Sequence, residues 1–113
     1  MSEPVQVDFV YWRGTARTLR FTMTENGSVA AFNTLFTMRA KADAADPVVF
    51  QKTGTILDAG SSTTKGVFGV AITKAESVLW EQRVHAFSFV RTDNDDLYTI
   101  GKVDVRYDVR NAA

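Results

Sequence analysis

Residues 102–110 read Lys102-Val103-Asp104-Val105-Arg106-Tyr107-Asp108-Val109-Arg110. Val103, Val105, Tyr107 and Val109 fall on one face of an extended segment. Lys102, Asp104, Arg106, Asp108 and Arg110 fall on the other, with charges that alternate in sign. Period two over this length is a strand signal, because a helix would scatter the same residues around its axis. At ~3.3 Å per residue the stretch reaches roughly 30 Å, longer than an average strand. It predicts an all-β protein whose long, charged terminal strand extends toward a neighbouring subunit.

The rest of the chain reads the same way. Val5, Val7, Phe9 and Tyr11 alternate with Gln6, Asp8, Val10 and Trp12, and Arg13-Gly14 makes a turn. Arg17 to Thr24 is a threonine-rich strand with one wet face, ended by Asn26-Gly27, a strong short turn signal. Phe32 to Ala40 is a strand with Phe36 and Met38 inward, and Lys41 to Pro47 is a loop. Val48 to Lys52 and Thr55 to Leu57 are short strands around Gly54. Asp58 to Gly66 is a Gly/Ser/Thr connection. Val67 to Ile72 and Val84 to Arg91 are apolar on both faces, as central strands are. Between them Thr73-Lys74-Ala75-Glu76 fits a capping box and one turn of helix. Thr92 to Asp96 is a turn, and Leu97 to Arg110 is the last strand, with Gly101 at an expected bulge. Seven to eight short strands with turn signals every ~8–12 residues predict an antiparallel β-sandwich. Residues 1–113 form one domain, with 106–113 an extended C-terminal arm.

Composition narrows the function classes. The 113 residues are 45% apolar, enough for a packed core. Thirteen Lys and Arg balance thirteen Asp and Glu, with no long block of either sign, which argues against nucleic-acid binding. There is no cysteine, so no disulfide and no thiolate metal site. No run of ~18 apolar residues predicts a membrane helix. Met1-Ser2-Glu3-Pro4 lacks the basic and apolar regions of a signal peptide. The expectation is synthesis in a cytoplasm and no membrane partner.

Motifs for catalysis fail on inspection. Gly60 to Gly66 carries Lys65 after Thr64 and before a strand, whereas a phosphate loop needs Gly-Lys-Ser/Thr opening a helix. Asp93-Asn94-Asp95-Asp96 lacks the glycine and glutamate spacing of a calcium loop and reads as an Asx-type hairpin turn. His85 is the only histidine and opens a strong strand, so a structural role outweighs a general base. No catalytic, cofactor or metal residues are assigned. Trp12, Trp80, Tyr11 and Tyr98 could form an aromatic platform for a glycan or a protein. The plainer expectation has Trp12 covering a core edge and Trp80 plugging one end of the sandwich.

Several segments carry a resemblance. Arg13 to Thr22 holds a T-L-x-F-T pattern, Asp46 to Thr53 reads D-P-V-V-F-Q-K-T, and Ile56 to Thr73 reads I-L-D-A-G-S-S-T-T-K-G-V-F-G-V-A-I-T. Phe87 to Asp93 (F-S-F-V-R-T-D) and Tyr98 to Val105 (Y-T-I-G-K-V-D-V) continue it. Together these resemble the Ig-like β-sandwich modules of bacteriophage tail and baseplate proteins, including the N-terminal region of the baseplate upper protein family. The likeness departs at Leu79 to Arg83. It implies a non-enzymatic virion structural protein of the tail, baseplate or neck, without cofactor, that binds copies of itself and other virion proteins. A capsid decoration protein is the near alternative, and a carbohydrate-binding module the alternative of another class. In this reading Lys102, Asp104, Arg106, Asp108 and Arg110 form the assembly interface. The strand's unpaired edge joins subunits and its charges set register.

Overall fold

The computed structural model describes residues 4–40, 47–93 and 96–107. Strands run β1 (Val5–Arg13), β2 (Arg17–Asn26), β3 (Thr34–Arg39), β4 (Val48–Thr53), β5 (Thr55–Asp58), β6 (Lys65–Ile72), β7 (Val84–Arg91) and β8 (Asp96–Tyr107). A single turn of helix, α1 (Lys74–Ser77), sits between β6 and β7. The strands form a five-stranded sheet, β1-β8-β7-β3-β4, and a three-stranded sheet, β2-β6-β5. With β2 to β8 read as strands B to G of that fold, this is the order of a variable-type Ig-like sandwich, with the first strand laid beside the last. The expected all-β, Ig-like architecture is therefore observed, with eight strands and one short helix.

β8 is interior to its sheet, which corrects the edge expected for Lys102 to Tyr107. It pairs antiparallel with β7 and parallel with β1, from Val5 opposite Thr99 to Arg13 opposite Tyr107. Among the described residues the β1–β8 pair is the one parallel contact in an otherwise antiparallel sandwich. Arg106 and Tyr107 lie in this ladder, opposite Trp12 and Arg13, so no free arm begins at 106. Residues 108–113, with Asp108 and Arg110, lie outside the described residues. The alternation itself holds: Val103 and Val105 are buried in the core, while Lys102 and Arg106 are exposed.

Other expectations shift for local reasons. Asn26-Gly27 does not close a hairpin. β2 pairs with β6, and the chain after Gly27 crosses to the other sheet before β3. The bulge expected at Gly101 falls instead at Tyr98, where the β7–β8 register jumps from Thr99 to Leu97. Gly101 serves a close approach: a Cβ there would run into the Val7 carbonyl oxygen of β1. Asp8 Oδ1 takes the Lys102 N–H at 3.1 Å beside it. Gly54 is the corner at which the chain leaves β4 in one sheet and enters β5 in the other. Its N–H donates to the Thr34 carbonyl at 3.1 Å, and a Cβ would meet Thr34 Oγ1 and the Phe89 ring.

The core is aromatic. Phe21 of β2 stacks on Phe89 of β7 with centroids 4.2 Å apart and planes 7° apart. Phe36 and Phe87 stack at 5.5 Å beside them, and Phe68 meets Phe89 at 5.7 Å. At one end Trp80 is 2% exposed and packs edge-on against Tyr11 and Phe50. It plugs the sandwich, as the plainer reading of that residue expected.

Val105→Asp should lower stability by about 3–5 kcal/mol, since it buries an unpaired carboxylate. Asp104→Val should change it by less than about 1 kcal/mol. Equal thermal shifts would mean that the faces of β8 are exchanged. Gly54→Ala should lower stability by roughly 1–3 kcal/mol, the usual effect of overpacking. Thermal denaturation by circular dichroism reads both comparisons.

Candidate functional site

The two groups of residues singled out from sequence fall at different depths. Lys102, Asp104 and Arg106 project from β8 onto the outer face of the five-stranded sheet. Trp12 projects onto the same face, because it shares a cross-strand position with Arg106. Trp80 is in the core, so the structure does not bring the two tryptophans together. It brings Trp12 to the charges of β8, which were expected to act separately.

The outer face is built in rows across the strands. Val84, Asp104 and Val10 form one row, and Trp12 with Arg106 forms the next. Arg106 forks onto Asp104, with Nη2 and Nε 2.8 and 3.0 Å from the same Oδ2. Trp12 is 49% exposed and Val84 50% exposed. The result is a surface indole beside an ion pair, with Asp104 between the two valines of the neighbouring row and the guanidinium of Arg106 held across from Trp12 by its own carboxylate. Lys102 shares its row with Ala86 and Asp8. Asp8 lends its carboxylate to the β8 backbone instead of to the lysine side chain.

Below this face, α1 fastens the end of the sandwich. The capping box forms as expected: Thr73 Oγ1 accepts from Glu76 N at 3.1 Å, and Glu76 Oε1 accepts from Thr73 N at 2.9 Å. Lys52 Nζ of β4 donates to the same Oε1 at 2.8 Å. That bond, with the Thr73 amide, holds the Glu76 carboxyl below its ordinary value of 4.5. Ser77 is fully buried: its Oγ accepts from Gly14 N at 3.0 Å and donates to the Thr15 carbonyl at 2.9 Å. Tyr11 donates to the same carbonyl at 2.8 Å, and burial raises its phenol above 10.0. The β1–β2 turn beneath Trp12 is thereby tied to α1.

The remaining candidates resolve into structure. His85 is 1% exposed, with Nε2 on the Glu81 carbonyl at 3.0 Å, in the structural position expected of it. In the loop 59–64, Asp58 Oδ1 accepts from Gly60 N at 2.9 Å, a turn bond, and a strand follows. Asp93 pairs with Arg91, which holds its carboxyl below 3.8; Asn94 and Asp95 lie outside the described residues. Arg91 also lies over the Phe32 ring, 3.6 Å from its centroid. Among the described residues no group of three or more His, Cys, Asp or Glu could hold a metal. A cleft of about 270 Å³ opens at the other end of the sandwich between Val5, Met23, Phe32 and Tyr98. Sequence reading did not find it, because its walls come from four separate strands and a loop. No helix among the described residues is long and apolar enough to cross a membrane.

Together the fold and the exposed face define an Ig-like sandwich with an aromatic-bearing sheet surface. No protein-family model matches the chain, and no curated protein matches it. Among solved structures it is similar to the NK cell receptor Nkp44, described as a triggering partner in natural cytotoxicity. The identity is 12%, covering 95% of this chain and 100% of that one, with a TM-score of 0.42.

Glu76→Gln should remove the Lys52 pair and weaken the cap, lowering stability by about 1 kcal/mol at pH 7. The depressed folded-state value sets the sign. The contribution is present above the unfolded value near 4.5 and is lost as pH falls through the lower folded value. Melting temperatures from pH 7 to pH 3 should therefore converge for the two proteins at the acid end.

Proposed function

We propose that this chain is a non-enzymatic structural protein of a bacteriophage virion, placed in the tail, baseplate or neck. It acts by protein–protein assembly through the outer face of its five-stranded sheet. The observation that carries the reading is Trp12, half exposed beside the Asp104–Arg106 fork. Tryptophan and arginine are the side chains most enriched among residues that dominate binding energy. A ring on a rigid strand loses little conformational entropy on docking. The sequence resemblance supplies the virion setting, and partners would be neighbouring virion proteins or further copies of the chain. A capsid decoration protein would use the same face.

The carbohydrate-binding alternative has less support. Its stacking faces were to be Trp12, Trp80 or Tyr11, and Trp80 and Tyr11 are 2% and 1% exposed in the core. Trp12 alone offers a single stacking surface.

In particles purified by density gradient, the chain is expected to co-purify in fixed stoichiometry with tail or baseplate proteins. Trp12→Ala should reduce incorporation with an unchanged melting temperature, and weaken binding to the isolated partner by about 2 kcal/mol, roughly thirtyfold. Absence from particles would overturn the virion reading. Binding to empty capsids would move it to decoration, and a Trp12-dependent signal on a glycan array would favour the carbohydrate module.

A further inference from the structure

The cleft of about 270 Å³ between β1, β2, β7, β8 and the loop after β2 takes no part in the function proposed above. Breaks in the ladders of both sheets fall on its walls. In β2 the pairing with β6 stops at Thr22 and resumes at Asn26, so Met23, Thr24 and Glu25 have no residue opposite them in β6. In β8, Tyr98 is the residue left over where the β7 register jumps from Thr99 to Leu97. All four of these residues line the cleft. The breaks at Val49 of β4 and Leu57 of β5 fall outside it. A bulge bends its strand and re-aims side chains, and such irregularities gather beside functional sites.

Both walls are held by bonds within the chain. On one side Gly27 N donates to the Thr64 carbonyl at 3.3 Å, Val29 N to the Ala59 carbonyl at 2.7 Å and Asn26 Nδ2 to the Ser62 carbonyl at 3.4 Å. On the other, Thr92 N donates to the Asn33 carbonyl at 2.8 Å, and Arg91 lies on the Phe32 ring. A cleft tied in this way is preformed, so an occupant does not have to order it.

Its charges decide what it accepts. Among the described residues, the charged side chains that line it are Glu25 and Arg91. Both carboxylate oxygens of Asp93 accept from Arg91, and the Phe32 ring covers the guanidinium, so this cation is already matched. Glu25 is exposed and makes no ion pair among the described residues. Lys65 of β6 is registered with Asn26 instead. One uncompensated carboxylate therefore stands beside an apolar wall that includes Met23, Val29, Leu97 and Tyr98. An anion is repelled there. A diamine brings two charges to one carboxylate. A single basic side chain matches, because its methylene stem covers apolar surface while its charged head stays at the wet rim.

We propose that this cleft takes one basic side chain, lysine or arginine, presented by a partner protein. The site is separate from the Trp12 face and stands independently of the function proposed for it.

The test uses the full chain and blocked tripeptides, acetyl-Gly-X-Gly-amide, with lysine, arginine, norleucine or glutamate at X. Amide NMR spectra are followed during titration. The lysine and arginine peptides are expected to shift the amides of Met23 to Val29 and Leu97 to Thr99, with roughly millimolar affinity. Norleucine keeps the stem without the charge and should bind more weakly; glutamate should not bind. Glu25→Gln should weaken the lysine peptide about three- to fivefold, and added salt should act in the same direction. Its melting temperature should equal that of the native chain, since Glu25 is exposed. Glu81→Gln, the same charge change at the closed end, and Trp12→Ala should leave binding unchanged. No shift at these amides up to roughly 50 mM lysine peptide would overturn the proposal. So would norleucine binding as well as lysine, or indifference to Glu25→Gln. Tighter binding of cadaverine than of the lysine peptide would overturn the protein partner in favour of a free diamine.

Discussion

The stack of Phe21 on Phe89 is the contact on which the two sheets depend. Antibody-type Ig domains join the second and seventh of these strands by a disulfide, next to a buried tryptophan on the third. This chain has no cysteine, and at the corresponding strands it places Phe21 on β2, Phe89 on β7 and Phe36 on β3. Phe21 reaches three rings of the facing sheet: Phe89 at 4.2 Å, Phe36 at 6.1 Å and Phe87 at 6.3 Å. A disulfide contributes about 2–4 kcal/mol through the unfolded state. Aromatic pairs contribute about 0.5–1.5 kcal/mol each beyond the area they bury. Several together reach a comparable stabilisation with no requirement for an oxidising compartment.

That packed interior makes the outer faces available for binding. With Phe, Trp80 and Tyr11 filling the space between the sheets, the closed end is held by hydrogen bonds through Ser77, Thr15 and Gly14. The β1–β2 turn and the helix turn are therefore fixed to one another. Trp12 leaves this rigid corner toward solvent, and its partner strand β8 is held on both sides. Its charged face is accordingly a surface of fixed geometry.

Much of the fold is legible in the residues because alternation is a local property. Val103 and Val105 inward, Phe36 and Met38 inward, and β6 and β7 as central strands all follow from which residues share a face. The Thr73 capping box is equally local, since both of its bonds lie within four residues. The site was legible in part. The charges of β8 and the ring of Trp12 were each visible, but their adjacency was not, because it requires residue 12 to register with residue 106. Trp80 illustrates the converse: its spacing says nothing of whether Tyr11 and Phe50 stand ready to enclose it.

By itself, then, the amino-acid order determined the strands, their apolar faces, the helix cap and the all-β class, through backbone geometry and side-chain alternation over neighbouring residues. Tertiary structure decided which strand lies beside which. Parallel β1–β8 pairing made Lys102 to Tyr107 interior, and the crossing after Gly27 kept Asn26-Gly27 from closing a hairpin. Edge or interior position depends on contacts between residues about ninety positions apart, such as Asp8 with Lys102. No local pattern encodes such a contact, because alternation sorts side chains between the two faces and does not say whether an edge's N–H and C=O groups meet a second strand or water.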